Sequence, residues 1–206
     1  MSERLAYGTP EERAAAAGRL TRHLADDGLV VYPTETVYGI GCALRPEALR
    51  RLADFKGGRP FLLLIRGRDD AGGLIWTPAA ERLAHHFWPG PLTIALRSDG
   101  RYPPQVVGPE GAVAVRVSPH PAIPAILAAA DGPVTSTSAN RPGRPPARTA
   151  GEAAELTAEL NRLLVLDGGE LPPASPSTIV ECAGGPRVIR EGAISRLELE
   201  SVVELE

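Results

Sequence analysis

Cysteines and long apolar runs are scarce in this chain of 206 residues. The two cysteines, Cys42 and Cys182, lie far apart and form no CxxC pair, and no histidine spacing is typical of zinc. We therefore predict two buried thiols in a reducing cytosol and no protein-built metal site. No apolar run approaches the roughly 18 residues of a membrane span, and the polar N-terminus is unlike a signal or transit peptide. These absences predict a cytoplasmic protein without membrane contacts.

Lysine is almost missing, because 21 of the 22 basic residues are arginine and Lys56 is the single lysine. The formal net charge of −3 argues against a globally basic nucleic-acid binder, although it does not exclude a local basic face. A single lysine in an arginine-rich chain has two interpretations: an ordinary solvated side chain, or a residue kept for its chemistry. Its neighbours Gly57, Gly58 and Arg59 make the second interpretation worth testing.

Familiar nucleotide and hydrolase motifs are absent as well. The chain contains no GxxxxGK[ST] phosphate loop, no GxGxxG fingerprint, no GxSxG elbow and no HExxH. Any nucleotide site must therefore be built in another way.

Helix and strand signals alternate along the chain, which predicts the α/β class. Cap-plus-proline pairs open helices at Thr9-Pro10 and Thr77-Pro78. The pattern predicts helices over residues 9–28, 46–55, 77–87, 121–130 and 151–163, strands over 29–32, 61–65, 92–96, 112–117, 134–137 and 164–166, and a hairpin of 177–182 with 187–190. The tail after Ser195 is expected to pair or fray. We predict one domain, residues 1–206, with a mixed sheet.

Three polar segments could carry chemistry. Residues 32–39 combine hydroxyls, a carboxylate and two phenols after a predicted buried strand, where ligands of α/β sheets bind. Residues 56–59 place two cations beside two glycines, and residues 133–140 carry four consecutive hydroxyls and an asparagine. Each segment alone is equally compatible with an ordinary turn or a solvated surface. Arg116 and Arg190 interrupt apolar strands, where an arginine needs an anion or solvent.

Taken together, these residues offer cations and hydroxyls but no evident general base and no nucleophile beside a base. Such a set suits the positioning and neutralisation of a polyanion, as in phosphoryl or nucleotidyl transfer. It does not suit acyl hydrolysis.

Six segments in order carry a resemblance to a known family: residues 32–39, 88–93, 115–117, 137–140, 177–180 and 190–192. They are similar to the motifs of the YrdC-like family, whose characterised members are L-threonylcarbamoyl-AMP synthases of tRNA modification. The resemblance runs from about residue 12 to residue 196 and matches the short form without a further C-terminal domain.

The resemblance implies a single α/β domain with a twisted mixed sheet flanked by helices around a concave positive cavity. It implies synthesis of threonylcarbamoyl-AMP and pyrophosphate from L-threonine, bicarbonate and ATP, with Mg²⁺ accompanying ATP. A partner threonylcarbamoyl transferase complex would then modify tRNA, and tRNA or double-stranded RNA could bind the concave face.

The resemblance also implies site residues. The implied catalytic cations are Lys56 and Arg59. The implied threonine-binding residues are Thr34, Thr36, Arg116, Ser136 and Ser177, and the implied ATP-binding residues are Lys56, Arg59, Ser138, Asn140 and Arg190.

Three departures from the family pattern lie on the nucleotide side. The segment after Lys56 is about three residues short, so Arg59 matches either the first arginine or a later cation of the family. Ala112 stands where members that bind ATP often have threonine, and Pro146 stands where many have serine. We therefore expect weakened ATP binding. The alternatives are a diverged paralogue that binds nucleotide or RNA without adenylate synthesis, and a related carbamoyl-transfer or adenylate enzyme.

Overall fold

The computed structural model describes residues 3–206, and within them helices and strands alternate as the α/β prediction requires. The helices are α1 (Pro10–Ala25), α2 (Pro46–Lys56), α3 (Pro78–Phe87), α4 (Ile123–Ala130), α5 (Ala150–Leu156) and α6 (Arg196–Glu200). The strands are β1 (Glu3–Ala6), β2 (Leu29–Tyr32), β3 (Gly39–Gly41), β4 (Leu62–Leu64), β5 (Leu92–Arg97), β6 (Ala112–Arg116), β7 (Val134–Ser138), β8 (Leu163–Asp167), β9 (Thr178–Glu181) and β10 (Arg187–Arg190).

Within the described residues, ten strands form one sheet in the order β1-β8-β2-β3-β7-β4-β6-β5-β9-β10. The sheet is mixed: β1, β8 and β2 run parallel, β3 and β7 are antiparallel to their neighbours, and the pairs β4–β6 and β5–β9 are parallel. The predicted single α/β domain with a mixed sheet is therefore confirmed. In the part of the chain from residue 3 onward, no helix is long and apolar enough to cross a membrane.

The two faces of the sheet are covered unequally. Buried residues of α2, α3, α5 and α6 pack on one face, together with the strand residues Leu63, Ile94 and Val115. On the opposite face, α1 and α4 pack over β2, β8 and the near ends of β4 and β7. Two helices do not span ten strands, so this second face is only partly covered.

Local sequence signals place most helix starts correctly. Thr9 caps α1 through a capping box with Glu12, and Thr77 accepts a hydrogen bond from the Ala80 backbone at the start of α3. Side-chain oxygens at these positions satisfy backbone N–H groups that have no partner within the helix. A second capping box, Ser195 with Glu198, opens α6, where the sequence analysis expected only a pairing or fraying tail.

The predicted helix over residues 151–163 is wrong in its second half. Helix α5 ends at Leu156, and the Thr157 hydroxyl donates to the Ala153 carbonyl at 2.6 Å. Arg162 then adopts φ 57° before the chain enters β8. A threonine that bonds back to the preceding turn competes with helix continuation, and the positive φ of Arg162 is incompatible with a helix.

Strands β1 and β3 are absent from the sequence-based prediction. Strand β3 reads Gly-Ile-Gly, a composition that disfavours strands. A Cβ added at Gly41 would lie 1.7 Å from the backbone oxygen of Thr135 on β7. The glycine is therefore required by the close approach of two backbones, which no local pattern reveals.

Candidate active site

The uncovered part of the α1/α4 face forms the candidate site. Cross-strand pairing puts Gly39 opposite Ser138, Ser136 opposite Leu62 and Leu64 opposite Arg116. Paired residues of neighbouring strands lie on the same face of a sheet, so the side chains of the last two pairs and of Ser138 share one face with Gly39. Alternate residues Leu62, Ser138, Ala114 and Ile179 on this face are partly exposed. Their neighbours Leu63, Val113, Val115 and Val180, on the opposite face, are 0% exposed. We call this partly exposed surface the open face.

The loop after β2 is organised by Thr34. Its hydroxyl oxygen accepts hydrogen bonds from the backbone N–H groups of Thr36 and Val37, each at 3.2 Å, and donates to the Val37 carbonyl at 2.6 Å. The Thr36 hydroxyl lies 3.1 Å from the Thr34 hydroxyl, and both threonines are buried. Thr34 therefore fixes the shape of the turn, and the side chains of Glu35 and Thr36 are held by it.

Arg116 is almost fully buried at the end of β6 and faces a carboxylate from that loop. Its Nη2 forms an ion pair with Glu35, and its Nε donates to the Gly90 carbonyl at 3.3 Å. The second Glu35 oxygen accepts a hydrogen bond from the Ser118 hydroxyl at 2.6 Å. Burial lowers the pKa of Arg116 to about 10, and the nearby positive charge of Arg190 adds to the lowering. Arg116 thus remains charged at neutral pH.

Glu35 and Ser118 are site residues that the sequence analysis did not assign. Glu35 stands inside the polar segment 32–39, and Ser118 comes two residues after Arg116. The available signal was the arginine in an apolar strand, which requires a buried anion. The sequence could not identify that anion, since Glu35 and Arg116 are 81 positions apart.

Lys56, the last residue of α2, contacts the loop after β7 through three hydrogen bonds. Its ammonium donates to the carbonyls of Ser138 at 2.9 Å and Asn140 at 2.7 Å, and to the Asn140 side-chain oxygen at 3.1 Å. No carboxylate is among these partners, and burial lowers the pKa of Lys56 to about 8. The structure therefore joins two of the predicted polar segments directly.

The Ser138-Asn140 pair is tied together by side-chain contacts. The Ser138 hydroxyl donates to the Asn140 side-chain oxygen at 2.5 Å, and the Asn140 amide nitrogen donates to the Arg144 carbonyl. Lys56 shares the same Asn140 oxygen. These contacts fix the loop end of β7 beside the open face.

Ser136 lies between this loop and the segment after β2. A Cβ added at Gly39 would lie 3.4 Å from the Ser136 hydroxyl oxygen and 3.1 Å from the Tyr32 ring. Tyr32 is fully buried beneath them, and its hydroxyl donates to the Thr135 carbonyl at 3.0 Å. The absence of a side chain at Gly39 keeps the Ser136 hydroxyl unobstructed from that side.

Ser177 and Arg190 complete the far side of the open face. Arg190 Nη2 donates to the Ser177 carbonyl at 2.8 Å and contacts the Ser177 hydroxyl at 3.3 Å. The Ser177 hydroxyl lies 3.0 Å from that of Thr93 on β5. Because Ile94 pairs with Val115, Thr93 lies beside Arg116 on the adjacent strand. Burial lowers the pKa of Arg190.

Arg59 stands apart from these contacts. Gly57 and Gly58 both have positive φ, 77° and 78°, which turns the chain sharply after α2. Among residues 3–206 the Arg59 side chain has no hydrogen-bond or ion-pair partner, and it is exposed. We call residues 56–59 the cation loop.

Of the two altered nucleotide-side positions, Ala112 is buried on the open face four residues before Arg116, and Pro146 is exposed in a loop.

Two surface clefts are lined by residues outside the open face. One cleft lies beside Arg19 and Arg162, and the other beside Arg51 and Arg141. Neither cleft contains a predicted site residue. Across residues 3–206, no three His, Cys, Asp or Glu side chains converge in a way that could hold a metal.

Sequence comparisons give a consistent set of relatives. The Sua5/YciO/YrdC family model, described as telomere recombination, matches residues 22–192. A threonylcarbamoyl-AMP synthase of Thiobacillus denitrificans is 35% identical over 185 residues, which cover 86% of this chain and 96% of that protein. A protein of the same name from Chromohalobacter salexigens is 39% identical over 170 residues, covering 79% of this chain and 90% of that protein.

Solved structures resemble this fold closely. Pyrococcus abyssi Sua5 complexed with L-threonine matches with a TM-score of 0.84 and 28% identity, over 100% of this chain and 62% of that chain. This chain therefore spans less than two thirds of that archaeal protein. Escherichia coli YciO matches with a TM-score of 0.80 and 24% identity, over 95% of this chain and 98% of that chain. That second likeness concerns the fold alone.

Proposed function

The chain belongs to the Sua5/YciO/YrdC family, and on that premise we propose that it is a threonylcarbamoyl-AMP synthase. It would make threonylcarbamoyl-AMP and pyrophosphate from L-threonine, bicarbonate and ATP. The observation that carries the proposal is one open face that holds a buried arginine and several hydroxyls, with a lysine bound at the end of β7 that borders it. The names of the relatives support a synthase rather than a paralogue that only binds nucleotide or RNA.

The threonine half of the site would be built around Arg116. A guanidinium presents N–H groups in a planar fork that matches a carboxylate, so Arg116 would hold the threonine carboxylate. Ser136, Ser177 and Thr36 would supply hydroxyls around the amino acid. Thr34 would act through the turn, because its hydroxyl is already committed to the loop backbone.

The nucleotide half would be built around Lys56 and the Ser138-Asn140 pair. The threonine amine and bicarbonate first give a carbamate and water. A carbamate oxygen then attacks the α-phosphorus of ATP, and pyrophosphate leaves. The carbamate itself is the nucleophile, which fits a site without a serine or cysteine activated by a base. Lys56, Arg59 and Arg190 would neutralise charge on the phosphates.

Magnesium would enter with ATP, because the residues that the structure describes offer hydroxyls and cations near the site rather than converging carboxylates. Mg²⁺ typically binds substrate phosphates and keeps several of its waters. It would supply further charge neutralisation on the triphosphate. The partners we propose are tRNA and a threonylcarbamoyl transferase complex, which would consume the product in the cytoplasm. The domain we propose spans residues 1–206.

The test is pyrophosphate release from ATP with threonine and bicarbonate, each omitted in turn. Lys56→Ala should lower the rate by about two to three orders of magnitude, because a cation aimed at developing phosphate charge is lost. Arg50→Ala is the matched control: Arg50 is on the same helix, and among the residues that the structure describes it pairs only with Glu47 and Asp54 on the surface. Near wild-type release by Lys56→Ala, or release without threonine, would refute the assignment.

A further inference from the structure

Glu35 has no role in the proposed reaction, yet it is held as firmly as the residues that do. Its carboxylate contacts Arg116 with one oxygen and accepts from Ser118 with the other. The Glu35 side chain is 19% exposed, and that of Arg116 is 7% exposed. A nearly buried carboxylate with both oxygens occupied has little freedom to move away from the guanidinium.

The other charged side chains of the site are cations, so the Glu35 carboxylate is unusual among them. The positive charge of Arg190 lies close enough to Arg116 to contribute to the lowering of its pKa, and Lys56 borders the same open face. A cavity lined by cations alone attracts anions of every kind, including simple carboxylates and the phosphates of a nucleotide. Such a surface cannot by itself distinguish an amino acid from an organic acid of the same shape.

The Arg116–Glu35 pair presents opposite charges side by side, and an α-amino acid carries an ammonium and a carboxylate group on the same carbon atom. Arg116 uses Nε for the Gly90 carbonyl and Nη2 for Glu35, and within residues 3–206 its Nη1 has no hydrogen-bond partner, so Nη1 could contact a ligand carboxylate. An α-amino acid bound there through its carboxylate would have its ammonium within reach of the Glu35 carboxylate, because that carboxylate contacts the same guanidinium. An anion without the ammonium meets the same carboxylate as a like charge, which disfavours it.

We propose that Glu35 acts with Arg116 as a charge pair that makes the threonine half of the site select a zwitterionic α-amino acid over a simple carboxylate. This inference rests on the proposed function and adds to it a specificity-determining residue. Glu35 would also direct the phosphates of ATP towards Lys56, because its negative charge repels them from Arg116.

The experiment compares two ligands in four proteins by titration calorimetry. The ligands are L-threonine and (R)-3-hydroxybutyrate, which keeps the carboxylate and hydroxyl and lacks the amine. The proteins are wild type, Glu35→Gln, Glu35→Asp and the control Glu159→Gln, whose glutamate pairs with Arg141 on the surface. The measured quantity is the ratio of the two dissociation constants, hydroxybutyrate over threonine.

We expect a large ratio in wild type, a ratio lower by about tenfold or more in Glu35→Gln, and little change in Glu35→Asp and Glu159→Gln. A merely structural role would change both affinities together and leave the ratio unaltered, which would overturn the inference. If wild type binds threonine but Glu35→Gln keeps its ratio, the inference fails and the proposed function stands. If wild type binds no threonine, the proposed function fails as well.

Discussion

Lys56 should make ATP binding sensitive to pH in a way that arginine cannot reproduce. Burial lowers its pKa to about 8 in the free protein, and its partners are carbonyl and amide oxygens rather than carboxylates. With that pKa, Lys56 is about 90% charged at pH 7 and about 10% charged at pH 9. Bound phosphates favour the charged form and raise its pKa in the complex. The complex therefore holds a proton that the free protein has partly lost.

The magnitude follows from linkage. At pH 8 half of the free protein carries a neutral Lys56, so ATP binding should take up about 0.5 proton. Above pH 8 the association constant for ATP should fall by up to about tenfold per pH unit. The buried cysteines do not contribute protons near pH 8, because burial raises the pKa of the Cys42 thiol to about 11 and that of the Cys182 thiol to about 12. Burial lowers the pKa values of His23 and His120 below the ordinary value of a histidine.

The assay is calorimetry of ATP binding in two buffers with different ionisation enthalpies, at pH 7, 8 and 9. Threonine and bicarbonate are omitted, because both titrate in the alkaline range. Lys56→Arg is the comparison, since an arginine stays protonated throughout. Proton uptake by wild type near zero at pH 8, or equal uptake by Lys56→Arg, would refute the reasoning.

Three further outcomes are expected. Arg116→Lys should weaken threonine binding by about tenfold and ATP binding much less, because a lysine cannot contact Gly90, Glu35 and a ligand carboxylate at once as the planar guanidinium can; equal losses in calorimetry would contradict this. Restoring about three residues to the cation loop, with Ala112→Thr and Pro146→Ser, should strengthen ATP binding by about 1 kcal/mol per restored hydrogen bond; ATP binding by the unmodified protein as tight as that of its relatives would argue against it. Gly41→Ala should destabilise the fold by about 3 kcal/mol in urea unfolding, because its Cβ would meet the β7 backbone, whereas Gly67→Ala, with open space around it, should not.

The sequence predicts those parts of the fold that short-range chemistry determines. Thr9 and Pro10 mark the start of α1, Pro46 that of α2, and the apolar run 29–32 gives β2 at its observed bounds. Each signal acts within about one turn of helix or one strand, so it can be read without knowing the neighbours. The single-domain α/β prediction needed only the order of these elements.

What the sequence does not predict depends on contacts between distant segments. Strand β1, Glu-Arg-Leu-Ala, has only two apolar residues and becomes a strand by pairing with β8, where the Arg4 side chain forms an ion pair with Asp167. Strand β3 can lie against β7 because Gly41 lets its backbone approach that of Thr135. No periodicity analysis contains these long-range terms.

The candidate site also combines features that the sequence predicts with features that depend on the folded structure. The sequence identified its polar segments, but the pairing of Arg116 with Glu35 arises from two independent mechanisms. Sheet register places Arg116, because the register that buries Val113 and Val115 turns every second residue of β6 to the open face. Local turn chemistry places Glu35, because the Thr34 hydroxyl holds the loop that presents it.

A one-residue slip of β6 would move Arg116 into the apolar core and expose Val115. Such a slip would both expose core residues and bury an unpaired charge, and each of these changes is unfavourable. The register therefore fixes the position of the guanidinium more firmly than a surface contact could. The turn that carries Glu35 needs only a threonine and a few backbone donors. If the charge pair selects the amino acid as proposed, its two members should respond differently to substitution. Changes in the β6 core should disturb binding of every carboxylate, whereas changes at Thr34 should lower the discrimination between threonine and hydroxybutyrate first.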